Sequence, residues 1–165
     1  MNNFQTLLTI LSDGGVEFVV IGGVAMYARG SAHLTRDLDL CYDRRAENVD
    51  RLVRAVAPYH PRLRGAPPDL PFVFDAVTAK RGMNFTLATD VGALDLLGEV
   101  AGLGEYPAVL GASDVVEVFG RPQNVLTLGG LIRSKRAAGR PRDLMAVQEL
   151  EALQQLERQQ KVRPE

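Results

Sequence analysis

The chain has 165 residues, 46% of them hydrophobic and 24% charged, which suits one buried core and excludes a disordered or collagen-like protein. Its Lys and Arg number 19 against 20 Asp and Glu, so the formal net charge is -1 and any polyanion site must be local rather than a property of the whole surface. One cysteine, Cys41, and two histidines, His33 and His60, exclude an internal disulfide and a Cys- or His-rich metal centre.

In chain order, Phe4, Leu7, Leu8 and Leu11 recur at helical spacing and predict an amphipathic helix from Asn3 to Leu11, stopped by Asp13-Gly14-Gly15. Glu17 to Ile21 is a short apolar, β-branched run, the pattern of a buried strand. Gly22-Gly23 breaks it, and Val24 to Arg29 follows as a short helix. Asp37 to Cys41 alternates polar and apolar, which is a strand with two different faces. Glu47 to Ala57 predicts a helix ended by Pro58. Tyr59 to Pro71 is proline-rich and reads as an exposed loop or lid. Met83–Thr89 and Ala93–Leu97 predict a hairpin turning at Asp90-Val91-Gly92. Val115–Phe119 and Asn124–Leu126 are two further strands, and Leu128–Ala138 and Pro141–Arg158 are helices separated by Gly139. Residues 159–165 read as a flexible tail after a single domain over 1–158. Interleaved strands and helices give an α/β or α+β class, with a mixed β-sheet, helices packed on it and helices at the C-terminal end. No run approaches a membrane span and the first residues lack a signal-peptide pattern, so a cytoplasmic protein without membrane contact is expected.

The stretch from Val19 to Cys41 carries the chemistry. A buried strand ends at two glycines and a helix starts at once. Free N–H groups at a helix start attract anions, and glycine lets a phosphate approach the backbone. Thirteen residues separate Gly23 from the strand with Asp37 and Asp39. Residues two apart in a strand share a face, so the two carboxylates converge while Leu38 and Leu40 turn to the buried side. Converging carboxylates repel unless a cation sits between them, and Mg²⁺ prefers such oxygen ligands shared with substrate phosphates. Either part alone has a plain structural reading, as a tight turn and as a solvated strand face.

The order of an apolar strand, Gly22-Gly23, thirteen residues and then Asp37-Leu38-Asp39-Leu40 resembles the signature of the DNA polymerase β-like nucleotidyltransferase superfamily. That resemblance implies a loop, Gly22 and Gly23, that holds a nucleoside triphosphate, and an acidic pair, Asp37 and Asp39, that binds divalent metal. It also implies a third carboxylate from a neighbouring strand. Asp95, in the apolar strand Gly-Ala-Leu-Asp-Leu-Leu, is the choice over Asp75 and Asp90, because a charge among leucines needs a partner. Capping, or pairing with an arginine elsewhere, is its structural alternative.

A second signal lies near the C-terminus, where Gly120 to Arg142 has six basic residues and no acid before Asp143. The string Leu131-Ile-Arg-Ser-Lys-Arg-Ala-Ala-Gly-Arg-Pro-Arg-Asp-Leu144 resembles a segment of bacterial abortive-infection, toxin-like nucleotidyltransferases (AbiEii-like). The resemblance implies that Lys135, Arg140 and Asp143 close the site. Lys135 suits a triphosphate as a point charge and Arg140 as a bidentate fork, while Asp143 has an equal reading as a helix cap. Thr35 and Arg36 precede the acidic pair as in the same group. Thr35 would orient the loop and Arg36 would point away from the carboxylates. His33 reads as a loop residue, and Cys41, Tyr27 and Tyr42 as packing residues. Arg133, Arg136 and Arg142 are structural by default, while the basic set Arg51, Arg54, His60, Arg62 and Arg64 reads either as the lining of an acceptor-substrate groove or as the solvated surface of a helix and loop.

These resemblances imply an enzyme that moves a nucleoside monophosphate from an NTP to an acceptor hydroxyl and releases pyrophosphate. Two Mg²⁺ ions at Asp37, Asp39 and Asp95 would serve it, with Lys135 facing the phosphates. The acceptor is left open among tRNA, a protein and a small molecule such as an aminoglycoside. A homodimer and an antitoxin-like partner are further implied possibilities. The alternative is a non-catalytic nucleotide-binding regulator or antitoxin-like protein on the same fold.

Overall fold

The alternation that separates Leu38 and Leu40 from Asp37 and Asp39 is realised in the computed structural model, which describes residues 3–163. Helix α1 (Asn3–Asp13) buries Leu7, Leu8 and Leu11 and leads into β1 (Phe18–Ile21), all four of whose residues are buried. Helix α2 (Gly22–Ala28) begins on the two glycines themselves, so Gly22-Gly23 is the first turn of the helix and not a break before it. Strand β2 (Asp37–Tyr42) then runs antiparallel to β1, pairing Ile21 with Asp39.

Helix α3 (Ala46–Val56) ends in a 3₁₀ turn (Ala57–Tyr59). The proline-rich stretch expected to be an irregular loop contains a strand, β3 (Arg62–Leu63), paired antiparallel with β4 (Asn84–Ala88). Proline is tolerated beside an edge strand, which is where β3 lies. Between them Asp75 caps α4 (Ala76–Arg81), accepting a 2.8 Å hydrogen bond from the Thr78 backbone N–H. Strand β5 (Ala93–Leu97) forms the expected hairpin with β4 and lies parallel to β2.

The next elements are not foreseen from the sequence: a two-stranded ribbon, β6 (Glu99–Val100) and β7 (Gly104–Glu105), and α5 (Tyr106–Gly111), which carries proline in its first turn. Strands β8 (Ser113–Val118) and β9 (Arg121–Leu126) form a hairpin, and β9 lies parallel to β1. Helices α6 (Leu128–Ala138) and α7 (Pro141–Val162) pack on each other. Helix α7 continues through Gln159–Val162, part of the expected tail, because Leu, Glu, Gln, Arg and Lys sustain a helix up to Lys161. The rest of that tail beyond Arg163 lies outside the described residues.

The main sheet has the order β3-β4-β5-β2-β1-β9-β8 and is mixed, in agreement with the expected class. Leu38, Leu40, Leu87, Leu94 and Leu96 line one face and join Leu7, Leu11 and Leu52 in the core. Asp37, Asp39 and Asp95 stand on the opposite face. Cys41 shares their side of β2 but is fully buried, and burial pushes its thiol up to about 12, which suits packing and not reactivity. Among the described residues, no helix is long and apolar enough to cross a membrane.

Candidate active site

The parallel pairing of β2 with β5 sets Asp39 directly beside Asp95, and Asp37 beside Ala93. Two strands therefore deliver three carboxylates to one patch of the open sheet face. The glycine turn closes over it from the β1 side. Gly22 has φ +62°, and a Cβ on it would lie 2.8 Å from the Asp39 Cγ. A Cβ on Gly23 would lie 2.5 Å from that of Thr35. Glycine is thus demanded at both positions by close approach, and at Gly22 by backbone conformation as well. Thr35 fixes the start of β2: its hydroxyl donates to the Asp37 carbonyl at 3.1 Å.

These residues line one cleft of about 480 Å³. Every residue singled out for the site lines it: Gly22, Gly23, Thr35, Asp37, Asp39, Asp95, Lys135, Arg140 and Asp143. His33 and Arg142 are there too, whereas Arg36 is not. An apolar wall of Met26, Leu97, Val100 and Ala101 completes it. Val100 and Ala101 belong to the ribbon region that periodicity did not reveal, because strands of two residues carry no repeat to read.

The electrostatics follow from this crowding. The Asp39 carboxyl is pushed up to about 7, first by burial, then by the charges of Asp95 and Asp37, with Lys135 acting the other way. Protonated, it shares a hydrogen bond with Asp95. Arg64 answers the same excess of negative charge. Its Nη2 donates to Asp95 Oδ1 at 2.6 Å and lies 3.7 Å from Asp37 Oδ2, while Nη1 donates to the Leu87 carbonyl at 3.2 Å. Of the two readings of the basic set, the solvated surface does not describe Arg64, which is ion-paired to the acidic patch. The alternation Arg62-Leu63-Arg64 was the available signal, since it places both arginines on one face of a short strand.

Lys135 and Arg140 meet on Asp143 instead of standing free. Arg140 donates through Nε at 2.6 Å and Nη2 at 3.2 Å, its backbone N–H reaches the same carboxylate at 3.2 Å, and Lys135 Nζ lies 3.5 Å away. Asp143 is 1% exposed. The Arg140 hydrogen bond, ahead of the Lys135 charge, holds the Asp143 carboxyl below its ordinary value. The capping and site readings of Asp143 thus coexist: it caps α7 and anchors two cations on the cleft wall. Asp143→Asn keeps the cap geometry but removes the charge. It is expected to cost about 2 kcal/mol, read as a lower Tm at pH 7 that converges with the wild type as acid protonates the carboxyl. An unchanged Tm at pH 7 would contradict the anchoring role.

Arg133 and Arg136 have structural partners, whereas Arg142 lines the cleft. Arg133 donates to the Gly102 carbonyl and Arg136 pairs with Glu151. Tyr42 is buried, its hydroxyl donating to the Met83 carbonyl at 2.8 Å. Tyr27 is 58% exposed and stacks on Phe119.

Among the described residues, no group of three His, Cys, Asp or Glu side chains is arranged to hold a metal ion as it stands. The chemistry of the acidic trio nevertheless fits a hard cation. All donors are carboxylate oxygens, burial and crowding push one of them, Asp39, up to about 7, and a guanidinium stands in as counter-cation.

No family model matches the sequence, and no curated protein matches it. Solved structures do match in fold. The lincosamide antibiotic adenylyltransferase LnuA, bound to lincomycin, superposes with a TM-score of 0.59 at 12% identity, covering 92% of this chain and 96% of that one. The antibiotic-resistance factor ANT(2'')-Ia gives 0.57 at 14% identity, covering 96% and 91%. A candidate nucleotidyltransferase from Thermotoga maritima gives 0.53 at 18% identity, covering 94% and 90%. The chain accordingly has the fold of the nucleotidyltransferases.

Proposed function

We propose that this protein is a metal-dependent nucleotidyltransferase that moves a nucleoside monophosphate from an NTP to an acceptor hydroxyl. The observation that carries the reading is the placement of Asp37, Asp39 and Asp95 side by side, under a glycine turn that admits no side chain and opposite Lys135 in the same cleft. Adenylyltransferases among the fold neighbours support it.

In this reading the backbone of Gly22 and Gly23 accommodates the triphosphate, and Lys135, steadied by Asp143, offsets its charge. Asp37, Asp39 and Asp95 would hold divalent metal, Mg²⁺ by its preference for carboxylate oxygens, which supplies Lewis-acid polarisation of the phosphates when bound. The acceptor oxygen attacks the α-phosphorus in line with the bond to the β-phosphate bridge. The new P–O bond forms as that bond breaks and pyrophosphate leaves. Asp95, at the edge of the trio away from the glycine turn, takes the acceptor proton and returns it to solvent. The resemblance of the Lys135–Asp143 segment to toxin-like proteins favours tRNA or a protein as acceptor, and an antitoxin-like partner belongs to the same reading.

Transfer from each α-labelled NTP in Mg²⁺ tests this, with an RNA pool, a protein lysate and an antibiotic mixture as acceptors and an Asp37→Asn/Asp39→Asn double variant beside it. Label is expected in one pool and not with the variant. Mg²⁺-dependent NTP binding without transfer into any pool would replace the enzyme by a nucleotide-binding regulator. Absence of both would end the nucleotide reading.

A further inference from the structure

The sheet row that carries Asp39 and Asp95 does not stop at Asp95. It continues through Thr86, paired with Asp95, to Arg64, whose backbone N–H donates to the Thr86 carbonyl at 2.9 Å. The neighbouring row runs from Asp37 through Ala93 and Ala88 to Arg62. These rows form a strip of open sheet face between the acidic trio and the free edge at β3. The glycine turn lies at the other side of the trio, next to β1. With the nucleotide at the glycine turn, the strip is the ground left for the acceptor.

The charges on that ground select among acceptors. Asp90, the acid at the strip's edge, is shared between His60 at 2.5 Å and Arg62 at 3.4 Å. Asp143, the other acid in the cleft, is held by Arg140 and Lys135. No carboxylate outside the trio lines the cleft without a cationic partner, among the described residues. Outside the trio, the cleft offers the ammonium groups of a polyamine acceptor no unpaired carboxylate. Arg64 is the reverse case. It is 31% exposed and its charged partners are Asp37 and Asp95, the carboxylates a divalent cation would engage. With a divalent cation held by those carboxylates, the guanidinium would be left without its ion-pair partners, a planar fork of donors suited to a phosphate.

We propose that the Arg62–Arg64 strip is an acceptor subsite for a phosphate-bearing molecule whose reacting hydroxyl lies next to that phosphate. The proposal rests on the transferase reading above. A free mononucleotide and the end of a polynucleotide offer the same chemistry.

Binding separates the possibilities without turnover. Cytidine, cytidine monophosphate, a fluorescent RNA 12-mer and tobramycin are titrated into the wild type and into Arg62→Gln/Arg64→Gln, in Mg²⁺. Binding of α,β-methylene-ATP is measured in parallel. Cytidine monophosphate is expected to bind at least about tenfold more tightly than cytidine in the wild type, and the advantage to vanish in the variant, consistent with one lost charge-assisted phosphate contact. An Arg62→Gln single variant, which leaves Arg64 on Asp95, is expected to lose part of the advantage and to bind the ATP analogue as the wild type does. A 12-mer much tighter than the mononucleotide identifies a polynucleotide end, and equal affinities identify a small phosphorylated acceptor. Cytidine equal to its monophosphate, or tobramycin binding in preference to both, overturns the proposal on the wild-type protein alone, however the variant folds. Analogue binding with no phosphate-dependent binding overturns the strip and leaves the transferase standing. Phosphate-dependent binding with no analogue binding overturns the transferase and the acceptor role together.

Discussion

On the transferase reading, Asp39→Asn is expected to cut nucleotidyl transfer sharply and at the same time to stabilise the metal-free protein at neutral pH. Loss of one carboxylate from the trio removes the charge that a hard cation needs, so transfer should fall by about 10³-fold or more. The stability effect has the opposite sign because Asp39 is held at about 7 in the folded chain against an ordinary 3.8. Folding then takes up a proton between those values. The contribution of Asp39 to stability is fully present below about pH 4 and lost as pH rises through about 7. Asparagine carries no such dependence. The variant and the wild type should melt together near pH 4, and the variant should be ahead by on the order of 2 kcal/mol at pH 8. Thermal melts across that range in a chelator measure the gap, and Mg²⁺ should narrow it by stabilising the wild type alone. A variant that melts below the wild type at pH 8 would show that the trio is not under electrostatic strain.

Gly22→Ala is expected to have the second largest effect. Alanine at φ +62° costs about 1–2 kcal/mol, and its Cβ would approach the Asp39 Cγ to 2.8 Å. The carboxylate must move, and a displacement of that size at a reacting centre is worth about 10²-fold in rate. Gly120 provides the control. Its φ is +81° in the β8–β9 turn, and nothing lies within 4 Å of a Cβ built there. Gly120→Ala should therefore lose similar stability and retain transfer. Equal losses of transfer in the two variants would reduce the glycine turn to a folding requirement.

The core strands and the long helices were legible in the sequence because each carries a period. Phe18 to Ile21 is uniformly apolar, and Asp37 to Cys41 alternates without exception. The acidic pair and glycine turn could be read because spacing alone puts them on one face. The third carboxylate was harder, since its neighbour across the sheet is set by which strands pair, and that is a property of topology. The contact of Arg64 with Asp95 is hidden for a related reason, since only the register of its segment with β4 carries it there. Asp143 was read as either cap or site because local sequence cannot show that Lys135, a turn before the end of α6, folds back onto it.

The parallel contact between β2 and β5 also governs when the site comes into being. Asp39 and Asp95 are far apart along the chain, and no local hairpin brings them together. The loop between them spans α3, α4 and β4, so closing it costs chain entropy, and like charges oppose the contact. The glycine turn and the first acidic pair are local in the chain, whereas the third acid joins them only through this long-range contact. A cation that favours the assembled trio would therefore be expected to stabilise the β2–β5 seam, linking stability of the fold to occupancy of the site.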